Sequence, residues 1–422
     1  MEQDIVSSLQ PSLTGIRHRT SMKSKPRIII LMHYLELGGA EMSLIGLLGA
    51  LDPQRVDVDL FVYAHRGPLM RFIPEWVNLL PEIPAYSVIE SPLVEALRRG
   101  HFGVAAGRLL ARWKCTRYRR HHPATGDDGA IMQYIGDYVT PWLPRIKPEV
   151  EYDLCISFLT PHNIGRDKVR ARRRLAWIHT DYSTVSVDAA RELPVWGAYD
   201  HIAAISAEVR RSFVSTFPAL ESKIVDIENI LSAEFVKKRA AEADAGAEMP
   251  GTIRLLSVGR YCTAKNYDNV PDIASRMVEA GLDGLRWYII GYGGDEALIR
   301  RRIAEAGMER HVILLGKKDN PYPYIKACDI YVQPSRYEGK SVTVREAQIL
   351  GKPVAVTAYP TAASQIHHDT DGVIVPLDNE GCARGLADFI ADTDLRRRIA
   401  AYLAGHDYAG TAEVDKIYRL LQ

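Results

Sequence analysis

Short apolar runs rich in β-branched residues alternate along most of the chain with longer stretches whose apolar residues recur every three or four positions. The first run, residues 27–35 (RIIILMHYL), is apolar without alternation, the pattern of a strand covered on both faces of a parallel sheet. Glu36-Leu37-Gly38-Gly39-Ala40 follows it, then helical periodicity from about Glu41 to Leu51, then a second strand at 56–63 (VDVDLFVY). The unit reads strand–loop–helix–strand, with two glycines at the carboxyl end of its first strand. Further strands are expected at 153–158, 174–178, 201–205 and 223–227. After residue 251 the pattern starts again, with strands expected at 252–258, 286–290, 312–315, 330–333 and 354–357. Helical segments such as 296–306 and 344–350 lie between them. Alternation of this kind predicts α/β folding, with two Rossmann-like, doubly wound parallel-sheet domains in tandem and a cleft between them.

A chain of 422 residues fits two such domains at roughly 150–200 residues each. The expected division is a mobile N-terminal tail at 1–25 and an N-terminal Rossmann-like domain at 26–232. A linker at 233–250, rich in Ala and charge and followed by Gly251, leads to a second Rossmann-like domain at 251–405. A C-terminal helix at 406–422 can cross back to the first domain. Five cysteines, odd in number and widely spaced, exclude a disulfide scaffold and a zinc cluster, and fit a reducing compartment. The N-terminus has acids early and no apolar core segment, so it does not read as a signal peptide. No run of 18 apolar residues occurs. A net charge of +1 argues against a dedicated nucleic-acid binder.

Ligands of open α/β sheets bind beyond the carboxyl ends of the strands, so the residues that matter are those in post-strand loops. Gly38-Gly39 lets backbone N–H groups approach an anion at a helix N-terminus, although a plain tight turn has the same spelling. Gly259-Arg260 … Lys265-Asn266 follows the strand LLSVG. An Arg and a Lys five residues apart can clamp two phosphates, or form a solvated basic loop. A third motif, Glu338-Gly339-Lys340-Ser341-Val342-Thr343-Val344-Arg345-Glu346-Ala347, runs from a strand into a helix. Its two carboxylates bracket a helix start whose free N–H groups can hold a phosphate or sugar oxygen, while each carboxylate can accept hydrogen bonds from hydroxyls.

At this third motif the chain resembles a known family. Ser335-Arg336-Tyr337-Glu338-Gly339 … Glu346-Ala347 … Gly351-Lys352-Pro353-Val354 is similar to the signature of family 4 of the retaining glycosyltransferases, which have the GT-B architecture. Gly38-Gly39-Ala40-Glu41 resembles the family's N-terminal glycine loop, and Ser257-Val258-Gly259-Arg260 with Lys265 its diphosphate-binding pair. Trp177-Ile178-His179-Thr180-Asp181-Tyr182 resembles a segment of the polysaccharide-making members. Ile289-Ile290-Gly291-Tyr292-Gly293 resembles the glycine turn near the nucleotide base. The resemblance covers about residues 27–378. It implies that Glu338 contacts donor-sugar hydroxyls, Glu346 the ribose, and Arg260 and Lys265 the leaving diphosphate. Gly38, Gly39, Gly259, Gly291, Gly339, Lys340, Ser341 and Val342 complete the implied donor site, and His179 would stand near the anomeric carbon or the primary hydroxyl. Lys340-Ser341 replaces the Phe-Gly pair that often follows the first Glu-Gly.

The implied reaction moves a sugar from a nucleotide-sugar donor, UDP-linked rather than GDP-linked, to a lipid-linked or saccharide acceptor in surface-polysaccharide or glycolipid synthesis. Cleavage of a sugar–phosphate bond leaves negative charge on the diphosphate, which fixed cations and helix N-termini can stabilise. No cofactor and no metal are therefore expected. Asp57 and Asp59 match D-x-D in spelling only and alternate along a strand, where both are expected to face solvent. His367-His368-Asp369 reads as a polar loop. Asn229 has a modest claim to ligand contact. Two other readings stay open: a nucleotide-sugar 2-epimerase of the same architecture, and a non-catalytic sugar-binding subunit.

Residues 98–122 (RRGHFGVAAGRLLARWKCTRYRRHH) hold eight Lys/Arg, three His and no acid. Phe102, Val104, Leu109, Leu110 and Trp113 interleave with Arg98, Arg99, Arg108, Arg112, Lys114, Arg117, Arg119 and Arg120. Such a basic amphipathic helix can lie on an anionic membrane surface, or can be a solvated face above a core stripe. The expectation is a cytoplasmic protein attached peripherally to the inner face of the cell membrane. The net charge thus averages an acid-free stretch and a more acidic remainder.

Overall fold

The computed structural model describes residues 25–36, 38–124 and 127–422, so the expected tail at 1–25 lies outside the described residues except for Lys25. In chain order the strands are β1 (Arg27–Met32), β2 (Asp57–Val62), β3 (Asn78–Leu79), β4 (Asp127–Asp128), β5 (Tyr152–Ser157), β6 (Ala171–Ile178), β7 (Val185–Ser186), β8 (His201–Ala204) and β9 (Ile224–Asp226). The second half contributes β10 (Ile253–Val258), β11 (Leu285–Ile290), β12 (Val312–Gly316), β13 (Ile330–Gln333), β14 (Val354–Thr357) and β15 (Val373–Val375). Seven form one sheet in the order β3-β2-β1-β5-β6-β8-β9, six form a second in the order β12-β11-β10-β13-β14-β15, and β4 pairs with β7. All pairings are parallel. In each large sheet the order reverses beside the first strand, β1 or β10. That places a crevice at the carboxyl ends of the central strands.

The run Ile28 to Met32 is fully buried, as its unbroken apolar pattern demands, and β10 and β11 are buried in the same way over their last four residues. Strand VDVDLFVY departs from its expected exposure. Asp57 faces solvent, but Asp59 is buried, where it accepts hydrogen bonds from Tyr152 Oη and Asn78 Nδ2 with Lys147 Nζ 3.4 Å away. These two donors and the nearby ammonium offset the cost of burying a carboxylate.

The stretch 233–250 is folded. It opens with helix Ala233–Ala240, whose N-terminus is capped by the Ser232 hydroxyl accepting from the Phe235 N–H. Phe235 packs edge-on against Phe72 of the first domain and Tyr322 of the second, and buried Arg239 donates to the Asp319 carbonyl. The apolar core runs without interruption across this junction, from Met42 and Leu44 to Tyr322, Ile325 and Val344. Helix Val414–Leu420 returns to the first domain: Tyr418 Oη accepts from the Asp52 N–H, Arg55 stacks on the Tyr418 ring, and Arg173 donates to the Leu420 carbonyl.

Candidate active site

The loop after β10 and the loop after β13 meet over the second sheet. Lys265, at the end of a single 3-10 turn, reaches 2.6 Å to Glu338 Oε1. The same oxygen accepts from Ser335 Oγ (2.5 Å) and Gln333 Nε2 (3.0 Å), and the Thr361 hydroxyl donates to the Glu338 carbonyl. Arg336 fixes the two loops to each other: its guanidinium bridges both oxygens of Asp268 and also donates to the Thr263 carbonyl. The structure thus brings Lys265 and Glu338 together as a mostly buried ion pair, with three donors on one carboxylate oxygen. Arg260 stands apart, exposed and without a hydrogen bond among the described residues, its field reaching the Glu41 carboxyl.

The glycines are there for close approach. A Cβ on Gly291 would sit 1.9 Å from the Gly259 carbonyl oxygen, and one on Gly259 would press on Tyr267 Oη and Lys265 Cε. On the facing domain, Gly38 precedes helix Gly39–Ala50, and a Cβ there would lie 2.3 Å from Glu41 Oε2. Glu41 therefore folds back over the glycine turn, and burial raises its carboxyl above the usual range. Gly39 lies against Val342 of the second domain, so the N-termini of helices Gly39–Ala50 and Val342–Ile349 approach across the cleft.

Other expected donor contacts have partners within the protein. The Lys340 side chain, 8% exposed, pairs with Glu228 at 2.6 Å, and Arg345 pairs with the other oxygen of Glu228 while donating to the Asn229 carbonyl. Burial opposes the charge on Glu228, but the Arg345 charge and the Lys340 hydrogen bond outweigh it and hold the carboxyl below its usual range. The Ser341 N–H donates to Gln365 Oε1, and Gln365 Nε2 returns a bond to the Ser341 carbonyl. Gly339 lies against Val209 and Ile205 of the first domain. Lys340 and Ser341 thus lock the domains and the loop together in this arrangement. Glu346 shares none of the Glu338 network: it is buried, accepts from Tyr322 Oη at 2.7 Å, and burial pushes its carboxyl up to about 7. Asn229 Oδ1 accepts from Ser43 Oγ within the first domain.

Three imidazoles of the first domain follow adjacent strands. His33 follows β1 and meets Glu90 Oε1 at 2.5 Å. His162 follows β5, meets Ser157 Oγ at 2.8 Å and packs on Trp196. His179 follows β6 and packs between Phe158 and Trp177. The Nε2 atom of each is buried with no hydrogen-bond partner among the described residues. Burial lowers the pKa of His162 and of His179 to about 3, so both rings are neutral near pH 7 and can donate or accept one hydrogen bond at Nε2. Sequence reasoning missed His33, His162, Glu90 and Gln365, because nothing in their spacing announces that distant strands end side by side. Among the described residues no three His, Cys, Asp or Glu side chains converge as metal ligands. His367 pairs with Asp371 instead.

The basic segment is two helices, Leu93–Arg98 and Phe102–Arg119, separated by Gly100 at positive φ. Val104, Ala105, Gly107, Ala111 and Cys115 face the core. Phe102, Leu109 and Trp113, on the opposite stripe, are 67, 53 and 57% exposed, and Leu110 and Trp142 extend this apolar surface. Arg98, Arg112, Arg117 and Arg120 are exposed around it, Arg99 pairs with Glu95, and Lys114 lies over the Trp113 ring. Two of the expected surface cations turn inward: Arg108 donates to the Val88 carbonyl and faces Glu90, while Arg119 pairs with Asp128 and donates to the Ser186 carbonyl. Among the described residues no helix is long and apolar enough to cross a membrane.

Two parallel-sheet domains that face each other across a cleft define the GT-B class. Solved structures share it: the Anabaena protein Alr3699/HepE, crystallised with UDP and glucose, aligns over 94% of this chain and 99% of its own with a TM-score of 0.65 at 15% identity, which establishes the fold. Residues 239–404 are similar to the family described as Glycosyl transferases group 1. Over 168 residues the chain is 26% identical to a lipopolysaccharide core biosynthesis glycosyltransferase, LpsE, of Rhizobium meliloti, covering 40% of this chain and 46% of that protein. It is 30% identical over 145 residues to a Campylobacter jejuni N-acetylgalactosaminyltransferase that acts on a diphospho-undecaprenol-linked saccharide, covering 34% of this chain and 39% of that protein. The matched region thus spans less than half the length of these relatives.

Proposed function

We propose that this chain is a glycosyltransferase of surface-polysaccharide or glycolipid synthesis, transferring a sugar from a UDP-linked donor to a saccharide or lipid-linked acceptor. The observation that carries the reading is the Lys265–Glu338 pair, held by Gln333 and Ser335 inside a group 1 glycosyl transferase domain. A donor entering between the domains exchanges that internal pair for two new ones: the Lys265 ammonium with a diphosphate oxygen, and the Glu338 carboxylate with a sugar hydroxyl. Arg260, which has no internal partner to surrender, adds a second cation. As the anomeric C–O bond breaks, the charge that collects on the departing diphosphate is met by these two residues. The reading therefore needs no metal or other cofactor. The acceptor hydroxyl enters on the face the diphosphate leaves and passes its proton to the departing diphosphate oxygen, so the new C–O bond replaces the old one with the anomeric configuration retained. Neutral His179 offers Nε2 to a sugar oxygen without adding charge beside the developing cation.

Attachment to the inner face of the cell membrane belongs to the same reading. The stripe Phe102–Leu109–Trp113 with Arg112, Arg117 and Arg120 gives an interfacial helix its two requirements, apolar side chains to insert and cations for anionic headgroups. The test of the reaction is release of UDP from a panel of UDP-sugars, with and without saccharide acceptors, and anomeric assignment of the product by NMR. Acceptor-dependent release with retention supports the reading. Acceptor-independent conversion of one nucleotide sugar to another points to an epimerase, and binding without turnover to a non-catalytic subunit.

A further inference from the structure

Where β5 and β6 begin, at the end of the first sheet opposite the cleft, the surface opens into a basin of about 580 Å³. Its charged lining is four arginines, Arg145, Arg166, Arg170 and Arg174, and two carboxylates, Glu151 and Asp167. Four guanidiniums against two carboxylates leave an excess of two positive charges. Both carboxylates are already committed. Asp167 takes two bonds of 2.7 Å from the Arg166 fork, and Glu151 lies 3.4 Å from Arg172, which is outside the lining.

The remaining guanidiniums are positioned but not neutralised. Arg174 donates from Nε, Nη1 and Nη2 to the carbonyls of Gly165, Ala171 and Val169, at 3.4, 3.2 and 3.2 Å. Arg170 donates to the Pro148 carbonyl at 3.2 Å. These carbonyls fix each fork and leave its charge in place, and every Nη keeps a second N–H to give. Arg145 is exposed and has neither an ion pair nor a hydrogen bond among the described residues. Burial lowers the pKa of neighbouring Lys168, and the Arg145 charge lowers it further against the pull of Asp167. Gathered like charges repel one another, and an anion among them removes that cost. Guanidinium forks from several sides match the several oxygens of a phosphate group, whereas a carboxylate has only two. A nucleic-acid strand would want a ring to stack on, and no aromatic side chain lines the basin. Because β6 is eight residues long, the basin lies about 25 Å from His179, out of reach of a diphosphate held in the cleft.

We propose that this basin is an anion site apart from the cleft, binding a phosphomonoester or diphosphate group through Arg145, Arg170 and Arg174. It does not rest on the transferase reading. The group can arrive free in solution or on a membrane surface, since Lys168 Nζ lies 3.5 Å from the carbonyl of Pro141, next to Trp142, which is 61% exposed. The test titrates pyrophosphate by calorimetry into the full chain carrying Lys265→Ala, which weakens pyrophosphate binding in the cleft. Arg145→Gln, Arg145→Gln with Arg170→Gln, and Arg398→Gln, an exposed cation of the second domain, are then added to that background. Pyrophosphate is expected to bind the Lys265→Ala chain, to bind roughly tenfold more weakly with Arg145→Gln and more weakly still in the double replacement, and to be unaffected by Arg398→Gln. No binding by the Lys265→Ala chain, equal binding with and without Arg145→Gln, or an equal loss with Arg398→Gln overturns the proposal. Arg145 has no bond within the protein to lose, so Arg145→Gln decides the matter should the double replacement fail to fold. Co-sedimentation with phosphatidylcholine vesicles, with and without phosphatidic acid, then names the source. Loss of the phosphatidic-acid-dependent binding in Arg145→Gln assigns the site to a lipid headgroup, and unchanged binding assigns it to a free phosphate compound. Absence of UDP binding by the wild type strikes the transferase reading alone and leaves the pyrophosphate result standing.

Discussion

Lys265, Gln333 and Ser335 converge on the Glu338 carboxylate, whereas in the first domain the Nε2 atoms of His33, His162 and His179 and the Trp177 N–H find no partner among the described residues. One wall pairs Lys265 and Glu338 internally, so these two must break a bond to take up a ligand. The other carries buried ring nitrogens that no group among the described residues satisfies. The first arrangement stores a cation and a carboxylate at fixed positions, where their mutual attraction and the bonds from Gln333 and Ser335 offset part of the cost of burying them. The second leaves ring nitrogens unpaired, with no internal bond to displace at those atoms. On the proposed reading, charge handling falls to the C-terminal wall and hydroxyl recognition to the N-terminal wall.

The sharpest way to break this contrast is at the ion pair. Lys265→Ala and Glu338→Ala should each lower turnover about 10²–10³-fold, the range for removing one preorganised stabilising group, with circular dichroism unchanged. Equal turnover in either would remove that residue from the account. The interdomain clamp comes next. Glu228→Gln leaves Lys340 and Arg345 without their counter-charge. Because Glu228 is about a third exposed (35%), the expected loss is discounted to about 1–3 kcal/mol in urea unfolding.

The pH dependence of stability separates the two kinds of buried group. His162 and His179 titrate at about 3 when folded and near 6.5 when unfolded, so the unfolded chain binds more protons and their contribution is lost as pH falls from about 6.5 towards 3. Glu192 and Glu346 titrate at about 7 when folded against about 4.5 when unfolded, so their contribution is lost as pH rises from about 4.5 through 7. Thermal unfolding should therefore peak between these limbs, and Glu192→Gln should flatten the alkaline one. An unchanged profile in that variant would contradict the assignment.

The smallest expected effect lies on the basic helix. Trp113→Ala should weaken co-sedimentation with anionic vesicles by about 1–2 kcal/mol, and Arg112→Gln by about 1 kcal/mol, the latter disappearing in high salt. Arg108→Gln and Arg119→Gln should affect folding rather than vesicle binding, since both point inward. Equal binding to neutral vesicles, or none to either kind, would remove the membrane from the account.

Much of the fold was legible because long apolar runs such as residues 27–35 and 252–258 leave few alternatives to a buried parallel strand. The strands that escaped notice, β3, β4, β7 and β15, are two or three residues long, too short for any period to show. At the site, Lys265 and Glu338 were legible through the loops after β10 and β13, because glycine turns and charge at strand ends carry a local signature. Gln333 and Ser335 complete the network from the adjoining strand, where their roles depend on side-chain direction. Asp59 was misjudged because alternation predicts which face a residue takes, while Tyr152 and Lys147, supplied from far along the chain, decide whether that face is wet. Glu192 left no sequence signal at all: its burial comes with Tyr182 and Trp196 gathering around it.

The central claim is that Lys265 and Glu338 open their mutual bond to hold a nucleotide sugar. Titrating UDP into the wild type and into Lys265→Ala by calorimetry tests it most directly. The account predicts measurable binding by the wild type and a loss of at least about tenfold in the variant; equal affinities, or no binding by the folded wild type, would contradict it.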